Sequence, residues 1–208
     1  MLVGVYTIPV LITYLGLISS MLAAIFSIGG NYKIAIILFM LAAIFDLFDG
    51  MIARKLNKTE KEKLFGVQID SIIDTCSFGI VPIIIGYSMG LKHNIDLLIF
   101  LIYLICATMR LAYFNYLALS SENVNNIGNQ RKYYLGLPVT YSAIILPLIY
   151  VVSYMFFKEF NVVLLRSVYL IIAMLFILNV KIPKPVGVWY FIFPIITVLW
   201  SIITFIVL

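Results

Sequence analysis

Apolar residues run along this chain in seven long stretches, at roughly residues 8–28, 32–54, 66–90, 95–119, 136–157, 162–180 and 186–208. Each is close to the ~17–25 residues a helix needs to cross a bilayer. Breakers and charges separate them: Gly29, Gly30 and Asn31; Lys92, His93 and Asn94; Lys158 and Glu159; Lys181, Pro183, Lys184 and Pro185. The longest polar connection is 120–135. The pattern predicts an all-α, polytopic membrane bundle of about seven spans, within a range of six to eight. No internal repeat or change of character divides it, so residues 1–208 read as a single membrane-embedded domain. Residues 1–7 lack a basic region, and no small-residue cleavage site precedes Ser19, so the first stretch is expected to be a span and not a cleaved leader.

Composition sharpens this picture. Of the 208 residues, 64% are apolar and 11% charged, against ~45–50% and ~25% in soluble domains. That excludes a soluble globular protein, a disordered chain and a disulfide scaffold. Cys76 and Cys106 have no metal-binding or redox spacing and read as packing residues. The net charge of +5 is distributed as a topogenic signal, with no nucleic-acid partner implied. With the 55–65 loop in the cytoplasm, that side collects Arg54, Lys55, Lys58, Lys61, Lys63, Arg131, Lys132, Lys181 and Lys184, and the other side only Lys33, Lys92 and Lys158. Seven spans then place the N-terminus in the cytoplasm and the C-terminus outside.

Four acids break the apolar pattern. Asp46, Asp49, Asp70 and Asp74 fall within spans, where a carboxylate costs at least ~2.5 kcal/mol on insertion scales. Asp46, Asp49, Gly50, Ala53 and Arg54 follow helical spacing along one face, as do Gly66, Asp70 and Asp74. The short loop between them makes the two helices antiparallel neighbours, so the carboxylates can converge near the cytoplasmic surface. Oxygen-only ligands select hard cations such as Mg²⁺, Mn²⁺ or Ca²⁺. Four carboxylates suit two divalent ions bridging a phosphoryl group. Gly50, Ala53 and Gly66 keep that face free of bulk, either for a ligand lying against the backbone or for close helix packing.

The run Asp46, Asp49, Gly50, Ala53, Arg54, then eleven residues, then Gly66, Asp70 and Asp74 resembles the CDP-alcohol phosphotransferase motif D-x2-D-G-x2-A-R-xn-G-x3-D-x3-D, with every fixed position filled. Asp70, Ser71, Asp74, Ser77, Phe78, Gly79 and Pro82 resemble the D-S-x2-D-x2-S-F-G-x2-P of its serine-using, phosphatidylserine synthase branch. Arg110 to Asn115 resembles that branch's R-L-A-x-F-N, and Gly136, Leu137 and Pro138 its G-L-P. Ile8, Pro9 and Thr13 are similar to the opening I-P-N-x-x-T, with Val10 in place of Asn. The resemblance covers about residues 8–140, and seven spans exceed the six-helix catalytic core usual in the family.

The resemblance implies transfer of a phosphatidyl group from CDP-diacylglycerol, or a CDP-activated ether lipid, to L-serine with release of CMP. It implies two divalent cations held by Asp46, Asp49, Asp70 and Asp74, with Asp74 also the base. It places Gly50, Ala53, Arg54 and Gly66 at the cytidine diphosphate, and it implies a homodimer. Ser71, Ser77, Arg110, Asn115, Arg131 and Lys132 are candidates for a serine or phosphate pocket. Arg166 is expected to pack or to snorkel, and His93 to be uninvolved. Two alternatives stay open: another acceptor, such as glycerol phosphate, inositol or inositol phosphate, and a divalent-cation transporter, whose acids should continue across the membrane.

Overall fold

A computed structural model describes residues 4–122, 133–183 and 189–208. Helix α1 (Ile8–Ile28) opens with Pro9 in its first turn, where the missing N–H costs nothing, and ends at Gly29 and Gly30. α2 (Tyr32–Lys55) carries Arg54 and Lys55 in its last turn, where cations oppose the helix dipole. α3 (Glu60–Asp74) runs through a π-helical turn (Thr75–Ile80) into α4 (Val81–Ser88), so the three form one rod. α5 (Asn94–Glu122), α6 (Ser142–Phe157), α7 (Val162–Ile177) and α8 (Trp189–Val207) complete the bundle. The chain is thus a polytopic helical bundle with large apolar side chains such as Ile25, Ile105 and Phe156 facing outward. Its interior is built on Phe39, Phe78, Tyr103, Tyr150, Tyr169 and Phe176.

Five helical rods are long and apolar enough to cross a membrane: Ile8–Ile28, Tyr32–Lys55, Glu60–Ser88, Asn94–Leu117 and Val139–Phe157. The stretches expected at 162–180 and 186–208 form shorter apolar helices among the described residues, Val162–Ile177 and Ile192–Val207. α7 stops early because Leu178 turns extended and leads into a strand. The loop expected over 55–65 shrinks to residues 56–59. A capping box starts α3 inside it, with the Glu62 amide donating to Thr59 Oγ1 (3.3 Å) and the Thr59 amide to Glu62 Oε2 (2.8 Å).

The all-α expectation also misses a small ribbon. Strand β1 (Tyr133–Leu135) pairs antiparallel with β2 (Lys181–Pro183), Tyr134 opposite Ile182. The ribbon ties the connection before α6 to the C-terminal end of α7. Two further bonds extend it, from the Gly136 amide to Val180 O and the Leu137 amide to Leu175 O, both 2.9 Å. Gly136 has φ +76°, and a Cβ there would lie 2.5 Å from Phe176 O, so only glycine fits.

The π turn has a readable cause. Pro82 has no amide to give the Phe78 carbonyl one helical turn back. The Tyr103 hydroxyl of α5 donates to that carbonyl instead (2.9 Å), and Tyr169 of α7 donates to Pro82 O. Tyr150 joins Tyr169 at 2.6 Å. Tyr103→Phe leaves the buried Phe78 carbonyl unpaired, which costs about 1–3 kcal/mol. The expected result is a lower thermal midpoint in detergent, and an unchanged midpoint would show that this bond does not hold the turn.

Candidate active site

Asp46 and Asp49 stand in the C-terminal half of α2, and Asp70 and Asp74 in the last turns of α3. Carboxylate oxygens of Asp46, Asp49 and Asp70 come within 4.8 Å of one another. Asp74, 7% exposed, hydrogen-bonds the Asp46 carboxyl. Carboxyl groups so close need a proton or a cation between them. An all-oxygen donor set of this kind fits a hard divalent cation.

Neighbouring elements orient these acids. The Thr13 hydroxyl of α1 lies 2.5 Å from Asp49 Oδ2 and 3.0 Å from Pro9 O, and can donate to one at a time. Thr140, in a 3-10 turn (Val139–Tyr141) that leads into α6, donates to Asp46 Oδ2 at 2.9 Å. Lys58, in the short α2–α3 connection, acts by its charge on Asp70.

The small residues of the motif stand open. A Cβ at Gly66 would meet nothing within 4 Å, and one at Gly50 only the Arg54 Nη1 at 3.7 Å. Close helix packing therefore does not account for these glycines. Gly86 is the contrast, since a Cβ there would press to 2.7 Å from the Tyr169 hydroxyl. Arg54 is exposed at the end of α2, and Ala53 is half-buried beside it.

Arg110 of α5 faces the cluster. Its charge acts on Asp74, Asp46 and the Tyr134 hydroxyl, and its guanidinium carbon stands 5.6 Å from the Phe114 ring centre. Its Nε is buried without a hydrogen-bond partner among the described residues. A buried donor left unpaired costs ~1–3 kcal/mol, more when charged, so this is a place where an anion is wanted. Asn115, five residues on, accepts from the Ser71 hydroxyl of α3 at 2.8 Å.

Other expected residues lie elsewhere. Ser77 is 1% exposed and bonded to Ser20 of α1 at 2.9 Å, on the packing side of the π turn. Arg131 and Lys132 lie outside the described residues. Arg166 ion-pairs with Asp96 in the first turn of α5, Nε to Oδ1 at 2.5 Å and Nη2 to Oδ2 at 3.1 Å. Sequence reasoning missed Thr140, Tyr134 and the role of Lys58. It placed Thr13 only in an opening motif, and Lys58 among solvated loop charges. For Tyr134 and Thr140 no signal exists along the chain, because the ribbon brings them in.

Comparison with known proteins agrees with the geometry. The family model for CDP-alcohol phosphatidyltransferase matches residues 6–208, well past Pro138 where the readable motifs end. The archaetidylserine synthase of Methanothermobacter thermautotrophicus is 29% identical over 180 residues, 86% of this chain and 70% of that protein. The CDP-diacylglycerol--serine O-phosphatidyltransferase of Methanocaldococcus jannaschii is 30% identical over 191 residues, 91% and 80%. The Saccharomyces cerevisiae protein of the same name is 33% identical over 114 residues, which span 54% of this chain and 40% of the yeast one.

Proposed function

This chain belongs to the CDP-alcohol phosphatidyltransferase family, and from that premise we propose that it transfers the phosphatidyl group of a CDP-activated lipid to L-serine. The observation that carries this reading is the cluster of Asp46, Asp49 and Asp70, with Asp74 against Asp46 and with Arg110 and its unpaired Nε beside them. The names of the relatives point the same way. We read residues 1–208 as one catalytic unit, with the site and the N-terminus facing the cytoplasm. The nine-to-three distribution of basic residues supports that orientation.

Asp46, Asp49, Asp70 and Asp74 would hold two divalent cations, Mg²⁺ or Mn²⁺. When bound, such ions neutralise the diphosphate and ease the departure of CMP. The open faces at Gly50 and Gly66 leave room for the cytidine diphosphate against the backbone, with Ala53 beside them and Arg54 reaching its phosphates. The serine hydroxyl oxygen forms a bond to the lipid-bearing phosphorus as the bond from that phosphorus to the CMP oxygen breaks. The hydroxyl proton passes to the ionised Asp74 carboxylate. Arg110 holds the serine carboxylate, and Ser71 with Asn115 lines the approach. Arg131 and Lys132 would cap the polar substrates. A dimer is expected from the family.

A transporter would need carboxylates at further depths. Among the described residues the other buried acid is Asp96, and it is paired with Arg166. An acceptor bearing a phosphate would need more cations than Arg110 offers at this depth.

The test is Arg110→Ala with steady-state kinetics. Loss of a buried charge partner costs about 2 kcal/mol or more, so the KM for serine should rise by roughly 30-fold, with little change in the KM for CDP-lipid. Arg54→Ala should do the reverse. An unchanged serine KM in Arg110→Ala would place the carboxylate elsewhere. Turnover of glycerol phosphate or inositol in preference to serine would replace the acceptor.

A further inference from the structure

Four motif residues, Ser77, Phe78, Gly79 and Pro82, have no part in the chemistry above. They lie in or just beyond the π turn, which begins at Thr75, next to Asp74. Three other helices grip that turn. From α1, the Ser20 hydroxyl donates to Ser77 Oγ at 2.9 Å. From α5, the Tyr103 hydroxyl donates to Phe78 O at 2.9 Å. Leu104 lies so close that a methyl group at Gly79 would stand 3.1 Å from its Cδ1. From α7, the Tyr169 hydroxyl donates to Pro82 O. Its single proton is thereby used, so Tyr150 of α6 is the donor in the 2.6 Å bond between the two hydroxyls. All three tyrosines are wholly buried.

Within the turn the Val81 amide donates to Cys76 O, five residues back in place of four. Pro82 has no amide with which to resume the α pattern at Phe78 O. A π turn takes up about one residue more than an α turn. It therefore rotates everything before it by about one residue's step, ~100°, against everything after it. After the turn, Val81 and Ile85 are fixed in the apolar core. Before it stand Asp70 and Asp74. Closing the turn to an α-helix would swing these two carboxylates about the rod by that step, out of their meeting with Asp46 and Asp49.

We propose that the π turn sets the rotation at which Asp70 and Asp74 meet Asp46 and Asp49, and that Tyr103 and Tyr169 are positioning residues for the phosphoryl transfer. This rests on the reading of the four acids as the metal-holding and proton-accepting set. Each tyrosine acts through the backbone of the rod. A carbonyl held by a hydroxyl from another helix leaves the turn wide, and the carboxylates one and two turns upstream inherit that setting. π turns are rare, and this one persists on bonds from outside its own helix.

The experiment separates holding the fold from placing the acids. Three quantities are read on the purified protein in detergent: the thermal midpoint, the Mn²⁺ affinity without substrate from the spin resonance of the free ion, and kcat and KM well below the midpoint. Tyr103→Phe should lower the midpoint and weaken Mn²⁺ binding roughly tenfold or more. It should also lower kcat roughly tenfold or more, since ~1 Å of misplacement can cost ~10²-fold, with the KM for serine little changed. Adding Pro82→Ala returns an amide to Phe78 O and favours closure of the turn. The double variant should therefore regain the thermal midpoint while Mn²⁺ affinity and kcat stay low. Ser153→Ala is the control. It breaks bonds to Glu159 O and the Asn161 amide between α6 and α7, and should lower the midpoint with the other readings unchanged. Recovery of midpoint, Mn²⁺ affinity and kcat together in the double variant overturns the proposal, as do wild-type Mn²⁺ affinity and kcat in Tyr103→Phe. Should the double variant not fold, Tyr169→Phe, which frees Pro82 O, must show the same losses of Mn²⁺ affinity and kcat, and their absence overturns the proposal. Wild-type turnover without metal, with kcat still lost in Tyr103→Phe, would instead sink the metal reading and leave the placement of Asp74 by the turn standing.

Discussion

EDTA should abolish turnover of CDP-lipid with serine by the purified protein, and Mn²⁺ or Mg²⁺ should restore it. The expectation follows from Asp46, Asp49 and Asp70 crowding their oxygens within 4.8 Å while Asp74 bonds to Asp46. Such a set, in a segment of low dielectric, lacks the positive charge that a phosphoryl-transfer site must present. The individual acids should fail differently. Asp46→Asn and Asp49→Asn should raise the Mn²⁺ concentration needed for half-maximal rate. Asp74→Asn should lower kcat by roughly 10²–10⁴-fold, the usual contribution of a positioned base. Undiminished turnover in a chelator would end the two-metal reading. A shifted Mn²⁺ requirement with normal kcat in Asp74→Asn would make that residue a ligand only.

The second large effect is expected at a residue that touches no substrate. Gly136→Ala places a methyl group 2.5 Å from the Phe176 carbonyl oxygen in a backbone with φ +76°. Left-handed strain and overlap together cost about 2–4 kcal/mol. Gly30→Ala is the matched comparison, since it has φ +77° with nothing within 4 Å and keeps only the strain. Gly136→Ala should therefore unfold well before Gly30→Ala on heating in detergent. It should also lose most activity, because the ribbon that brings Tyr134 and Thr140 to Asp46 and Arg110 is displaced with it. Equal midpoints for the two variants would show that the Phe176 carbonyl yields.

What the sequence makes legible is whatever is costly in its setting. Four aspartates and Arg110 in apolar stretches stand out because lipid tolerates no idle charge. Their helical spacing then fixes which of them can share a face. The start of α3 was signalled by Thr59 and Glu62 at capping-box spacing, but the run of lysines around them reads as loop. Arg166 and Asp96 are seventy positions apart, and no local pattern joins them. Thr140 is silent for a different reason. A threonine is unremarkable beside an apolar helix, and its meaning depends on two three-residue strands too short to register as periodicity. The shortness of α7 is likewise decided by the ribbon, not by its own composition.

The Asp96–Arg166 pair has a consequence for how α5 and α7 hold together. Arg110 of α5 and the ribbon after Tyr133 both serve the acidic cluster, so α5 and α7 must keep their relative placement. Phe100 and Tyr103 of α5 meet Tyr169 and Phe176 of α7 in edge-to-face contact at ring-centre distances of 5.2–5.3 Å. Beyond these the ion pair clamps α5 to α7, with Asp96 wholly buried. The two helices that carry Arg110 and the end of the ribbon are thus fastened to each other away from the site as well, by the rings and by an ion pair whose arginine is 27% exposed.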